Sequence, residues 1–257
     1  MIKSLNKQLD VLFVSPDSSA KAYQELAKTY AAIETPTWAL LLAQACRSNG
    51  FEAGILDTGA ERLTLEQSVQ RIDEANPRLV CLAVYGQNPN SGTTNMIGAI
   101  ALARSLKESY PEYKIAIVGS HVSALPLEVL AEDSIDYVLL NEGVYAVQNL
   151  LRSNLDDEVE KLKGIGHKLH GRPWLNPPEH VVAQDRMDLD LPGYAWDLLP
   201  YDQRPLDLYR AHFWHAEFNH AKRTPFAAIY TSLGCRFACN FCMINIVNRE
   251  DNDDQIN

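Results

Sequence analysis

From Leu9 onward, two rhythms of apolar and polar positions alternate along the chain. Short apolar runs at residues 11–14, 52–57, 79–85, 114–118 and 137–140 are bounded by turn-forming residues and have the length of strands. The run at 79–85 is apolar throughout, which predicts a central strand buried on both faces. Between these runs the apolar residues recur every three or four positions, the helical period. Residues 37–48 form such a stretch, stopped by Asn49-Gly50. Leu65, Val69 and Ile72 mark one face of a second helix, and Met96, Ala99, Ile100, Ala103 and Leu106 mark a third. A last helix is predicted over 145–152. Strands and helices in alternation, with short connections, predict an α/β unit over residues 1–152: a parallel five-stranded sheet of Rossmann-like or flavodoxin-like type.

Ligands of such sheets bind at the carboxyl ends of the strands. The small and polar residues predicted there are Ser15, the trio Tyr85-Gly86-Gln87, the trio Gly119-Ser120-His121, and Asn141-Glu142-Gly143. Gly119 and Gly143 are places where a large ligand could approach the backbone closely. Neither a G-x-G-x-x-G run nor a P-loop occurs, so the sequence does not support a dinucleotide or ATP.

The middle of the chain, residues 153–222, reads as a connection. Residues 153–163 are charged, and 164–174 have the pattern of a small hairpin with Gly171 in its bend. From Pro173 to Pro205 lie six of the chain's 13 prolines, which excludes long helices and predicts an extended linker anchored by Trp196, Leu198 and Leu199. Residues 209–220 are dense in aromatics and histidines. Two readings stay open for His212, His215 and His220: proton transfer beside a substrate, or an amphipathic segment packed against the linker.

Composition narrows the chemistry. At 46% hydrophobic residues the chain has enough apolar mass for a core. Its net charge of −10 argues against nonspecific nucleic-acid binding. There is no apolar signal segment and no bilayer-length apolar run, so no membrane partner is expected, and a cytoplasmic setting is. In that reducing compartment clustered cysteines favour metal over disulfide. Three of the five cysteines, Cys235, Cys239 and Cys242, stand as C-x3-C-x2-C in the run TSLGCRFACNFC, behind an apolar run at 225–231 that predicts a buried strand. Gly234 permits a tight bend before Cys235. Three thiolates leave one iron of a four-iron cluster without a protein ligand, whereas electron-transfer clusters usually have four. A zinc site completed by a distant histidine is the alternative. Arg236 and Asn240 read as donors to the cluster sulfurs or as solvated loop residues. Cys46 and Cys81 lie in apolar stretches and read as small buried hydrophobes.

The cysteine spacing resembles that of the radical S-adenosylmethionine (radical SAM) enzymes. That resemblance implies a 4Fe-4S cluster held by Cys235, Cys239 and Cys242, SAM chelated to the open iron, and Phe241 near the adenine. It makes residues 223–257 the start of a radical SAM partial (β/α) barrel, with the strand at 225–231 as its first. It also implies an external one-electron reductant such as flavodoxin or ferredoxin. The run IVGSHVSALP and the later NEG resemble the cobalamin-binding domain that precedes the barrel in one large class of these enzymes, with Gly119, His121, Pro126, Glu142 and Gly143 in the pattern's positions. Ser15, Tyr85, Gly86 and Ser120, at the same predicted strand ends, are further candidate cobalamin contacts. No histidine has an aspartate two residues before it, so the D-x-H-x-x-G cobalt-ligand motif is absent, and cobalamin is expected without a protein histidine beneath it. The LP-x-x-x-W-D-L-L segment resembles the linker of the same class. The expected reaction is cobalamin-dependent methyl transfer to an unactivated carbon of a small molecule. Ring formation, sulfur insertion, or a non-catalytic cobalamin- or metal-binding module are the alternatives. Only 15 residues follow Cys242, whereas a partial barrel needs on the order of 150. The chain is therefore expected to be a fragment, its remaining SAM and substrate contacts lying past Asn257.

Overall fold

The structure is a computed structural model that describes residues 8–19, 24, 26, 32–86, 89–202, 208–211, 216–222, 224–235, 237 and 239–242. His212, His215, Arg236 and Gln87 lie outside the described residues, as does the side chain of His220.

Five parallel strands form as the apolar runs predicted: β1 (Val11–Ser15), β2 (Ala53–Asp57), β3 (Leu79–Val84), β4 (Lys114–Gly119) and β5 (Tyr137–Leu139). Their order, β2-β1-β3-β4-β5, is the flavodoxin-like one, and it puts β3 at the centre. The registers are parallel throughout, Val11 facing both Ala53 and Leu79, and Val84 facing Gly119. Alternate side chains along each strand enter two different cores, as the period of two requires. Val11, Phe13, Leu79, Cys81, Ala83, Ala116 and Val118 pack with helices α1 (Thr37–Ser48) and α6 (Val144–Arg152). Leu12, Val14, Val80, Leu82, Ile115 and Ile117 pack with α2 (Leu65–Ala75) and α3 (Pro89–Ser109). Thr64 and Gln67 form a reciprocal capping box that fixes where α2 starts. The sequence pattern missed α4 (Ser120–Ala124) and α5 (Pro126–Leu130), which are each only five residues long.

The hairpin does more than the sequence suggested. Strands β6 (Ile165–Leu169) and β7 (Arg172–Leu175) turn at Gly171 (φ +76°) and extend the sheet antiparallel from β5, pairing Tyr137 with His167 and Leu139 with Ile165. The sheet thus has seven strands and runs past residue 152. The hairpin covers the edge that β5 would otherwise expose. Among its described residues the proline-rich stretch holds a four-residue helix, α7 (Met187–Asp190), and short 3-10 turns.

One prediction fails. Residues 225–231 do not form a buried strand; among the described residues their one sheet pairing is a single bridge at Pro225, and Ile229 is 58% exposed. A strand needs a neighbouring strand to take its backbone groups. No other barrel strand lies among the described residues, and the segment's bonds go instead to side chains and loops of the preceding parts.

Candidate functional site

The carboxyl ends of the parallel strands converge on one face of the domain. At the end of β3, Tyr85 points inward and its phenol donates to the Asn141 carbonyl oxygen at 3.2 Å. Burial, with the Glu142 carboxylate as the next cause, pushes this phenol well above its usual range, so it stays a donor. The Trp38 indole of α1 lies 5.0 Å from the Tyr85 ring and donates to the Glu142 carbonyl oxygen at 2.9 Å. The Asn95 amide closes the same corner by donating to the Tyr85 carbonyl oxygen at 3.1 Å.

Several residues expected to touch a ligand are used within the protein. A Cβ on Gly119 would meet the Val84 carbonyl oxygen at 2.3 Å, and one on Gly86 would meet the Ser91 Cβ at 2.2 Å. These glycines therefore permit strand and helix to close up. Gly143 starts α6 at φ +75° with the Val118 side chain against it, so it is required for conformation and packing together. The Glu142 carboxylate accepts the Val182 backbone N–H at 2.9 Å and ties the linker to the strand ends. The Ser15 carbonyl oxygen accepts both the backbone N–H and the hydroxyl of Thr58 at 3.1 Å. Ser120 is buried at the start of α4.

The outer rim keeps free chemistry. Thr93 Oγ1 and His121 Nδ1 meet at 3.1 Å on an exposed edge. One turn into α4, the Ser123 hydroxyl is buried with no hydrogen-bond partner among the described residues. A buried orphan hydroxyl beside a polar rim suits a ligand whose periphery carries amide groups, as a corrin's does. A cavity among the described residues lies elsewhere. It measures about 310 Å³ at the opposite end of the sheet, between Lys114, Asp136, Asp156, His167 and Lys168.

Sequence reasoning missed Asp57. It ends β2, is buried, and accepts the Tyr209 phenol at 3.1 Å and the Ala60 N–H at 3.1 Å. Desolvation raises its carboxyl to about 7, with Glu61 and Asp17 adding to the rise. An acidic residue at a strand end was the only signal available, and its burial comes from a partner 152 residues away.

The segment leading to the cysteines is pinned to this face. Thr35 Oγ1 accepts the Ala228 N–H at 3.0 Å and lies 3.3 Å from its carbonyl oxygen, which also sits 3.2 Å from Thr37 Oγ1. The Tyr194 hydroxyl accepts the Tyr230 N–H at 2.8 Å and donates to its carbonyl oxygen at 3.1 Å. The Tyr230 ring stands edge-on to Trp38 at 5.8 Å, so the indole bridges Tyr85 and Tyr230. Leu233 packs against the core on the α1 side.

Past the bend at Gly234 (φ +75°) the three cysteines share one loop and none is in a disulfide; Cys235 and Cys239 are exposed and Cys242 half-buried. Phe241 is 88% exposed. The donor set suits an iron–sulfur cluster, yet among the described residues no three His, Cys, Asp or Glu side chains are gathered to hold a metal ion. Metal binding commonly does that gathering itself. Cys46 and Cys81 are the opposite case: both are fully buried, and burial pushes the Cys46 thiol up to about 12 and Cys81 up as well. Among the described residues no helix is long and apolar enough to cross a membrane.

Comparison with known proteins adds three findings. Residues 25–151 match the family model of the B12-binding domain. An uncharacterized methyltransferase of Pyrococcus horikoshii is 26% identical over 190 residues, which cover 73% of this chain and 36% of that protein. The cobalamin-dependent S-adenosylmethionine radical enzyme OxsB, solved with aqua-cobalamin and S-adenosylmethionine, superposes with a TM-score of 0.52 at 14% identity, over 74% of this chain and 24% of that one. That last likeness is one of fold. The chain thus spans about a third of the length of the curated relative it matches.

Proposed function

We propose that this chain is the cobalamin-binding domain, the linker and the cluster loop of a radical SAM enzyme, a methyltransferase acting on an unactivated carbon of a small molecule. The observation that carries this reading is one of order and attachment. A domain matching the B12-binding model is followed by a C-x3-C-x2-C loop, and the segment entering that loop is bonded to Thr35, just before α1, and to Tyr194 of the linker. The similarity to a methyltransferase over 73% of this chain supports the reaction class.

The chain's own residues have limited and definite tasks in this scheme. Cys235, Cys239 and Cys242 would hold a 4Fe-4S cluster with one iron left for the amine and carboxylate of SAM, and exposed Phe241 would lie along the adenine. Thr93, His121 and Ser123 offer hydroxyl and imidazole groups to the periphery of cobalamin. Tyr85 and Trp38 close the strand-end corner against water. When bound, the cofactors supply one-electron SAM cleavage and methyl carriage, which is chemistry that no protein side chain provides. The electron would come from an external reductant such as flavodoxin or ferredoxin.

The test uses the full-length protein, reconstituted anaerobically with iron, sulfide and hydroxocobalamin and assayed for 5′-deoxyadenosine formed from SAM. Product from the native enzyme and none from Cys239→Ala, with cobalamin binding retained, is the expected result. An active Cys239→Ala variant, or a native protein that takes up neither iron nor cobalamin, would overturn the reading.

A further inference from the structure

Residues 224, 226, 228 and 230 have their backbone groups engaged along one edge, at the period-two spacing of a strand, yet the partners are not a strand. The Ala211 N–H donates to the Thr224 carbonyl oxygen at 3.3 Å, and the Phe226 N–H donates to the Tyr209 carbonyl oxygen at 3.2 Å. Beyond these, the backbone of Ala228 goes to Thr35 and Thr37, and that of Tyr230 to Tyr194. A hydroxyl is one donor and two acceptors. Each of Thr35 and Tyr194 can thus take both the N–H and the C=O of one residue, as an opposing residue of an antiparallel ladder would. Threonines from just before and at the start of α1, together with a tyrosine from the linker, substitute for a missing neighbour strand.

We infer that Thr35, Thr37 and Tyr194 form a hydroxyl clamp that fixes where the cysteine loop stands relative to the cobalamin face. The inference rests on the functional reading above and names its positioning residues. The clamp acts where position matters. Trp38, next to Thr37, spans from Tyr85 at the end of β3 to Tyr230, and Cys235 follows Tyr230 by five residues, a reach of roughly 17 Å at full extension. Residues 225–231 are largely exposed and make one sheet bridge, so apolar burial does not hold them. With the hydroxyls gone, the loop keeps its cysteines and the domain keeps its cobalamin rim. The distance and orientation between the two are then no longer set. Misplacement of about 1 Å between reacting groups is enough to cost on the order of a hundredfold in rate.

The experiment compares full-length native protein, the isosteric double variant Thr35→Val/Thr37→Val, Tyr194→Phe, and the hydroxyl-retaining control Thr35→Ser, each loaded with cluster and cobalamin. Hydrogen exchange reads the clamp itself. The amides of Ala228 and Tyr230 are expected to exchange at least about fivefold faster in the Val and Phe variants, and at the native rate in Thr35→Ser, one lost bond being worth about 1 kcal/mol. Pulsed electron paramagnetic resonance between cob(II)alamin and the reduced cluster reads placement. A narrow distance distribution in the native protein and a clearly broadened one in the Val and Phe variants, at unchanged iron and cobalamin content, would support the clamp. An unchanged distribution despite faster exchange would overturn it. So would loss of both cofactors in the Thr35→Ser control, which marks a merely structural site. Native protein that binds no cluster or no cobalamin fails the functional reading itself, a different result from a clamp that fails with both cofactors in place.

Discussion

The seven-stranded sheet and the cysteine segment belong to one chain but are stabilised by opposite means. In the sheet, side chains such as Phe13, Leu82, Ile115 and Ile117 are almost wholly withdrawn from water, and alternate residues feed two cores. Between residues 225 and 242 the large apolar groups Ile229, Phe237 and Phe241 face solvent, and order comes from hydroxyl-to-backbone bonds across some 190 residues of sequence. Apolar burial is non-directional and makes a scaffold. Hydrogen bonds are directional and modest in net energy, so they place a segment without providing it a core. The even edge of 225–231 is set by the residues of the domain and linker beside it.

The five cysteines give the sharpest way to break this contrast. In metal-free native protein we expect Cys235, Cys239 and Cys242 to react with a thiol reagent at least about a thousandfold faster than Cys46 and Cys81, because the buried pair is both inaccessible and short of thiolate. Peptide mass spectrometry after timed labelling reads this directly, and comparable rates would remove the distinction. Next in size is a core deletion. Ile117→Ala, at a fully buried site on β4, should cost about 2–5 kcal/mol of unfolding free energy in urea titration. A loss below about 1 kcal/mol would mean the sheet is not the scaffold.

The smaller effect lies where the two regions meet, at Asp57 and Tyr209. The folded carboxyl is raised from 3.8 to about 7, so the folded state holds its proton more tightly than the unfolded chain does. Its contribution to stability is fully present below about pH 4 and is lost as pH rises toward 7. Asp57→Asn should flatten that decline while leaving the stability at low pH nearly unchanged. A native stability that rises between pH 4 and 7 in parallel with the variant's would contradict the assignment.

Much of the sheet was legible in the sequence because period and length are local properties. The apolar run at 79–85 and the helical spacing from Met96 to Leu106 each report their own environment. The hairpin was legible too, but its addition to the edge of β5 was not, since pairing of Val138 with Gly166 depends on which edge stands open. The cysteine spacing is equally local, as is the burial of Cys46 and Cys81. The roles of Glu142, Asp57 and the clamp hydroxyls were hidden for one reason. Each depends on a partner far along the chain (Val182, Tyr209 and Ala228), and single hydroxyls or carboxylates carry no periodic signature. The buried strand expected at 225–231 fails by the same logic: its composition is strand-like, but burial needs neighbours that no run of seven residues encodes.

The most direct measurement is electron paramagnetic resonance of the anaerobically reconstituted, reduced full-length protein, recorded with and without S-adenosylmethionine. We expect the signal of a reduced four-iron cluster whose g values shift when S-adenosylmethionine occupies the open iron. Zinc held by Cys235, Cys239 and Cys242 with neither iron nor sulfide, or a cluster signal indifferent to S-adenosylmethionine, would contradict the proposed chemistry.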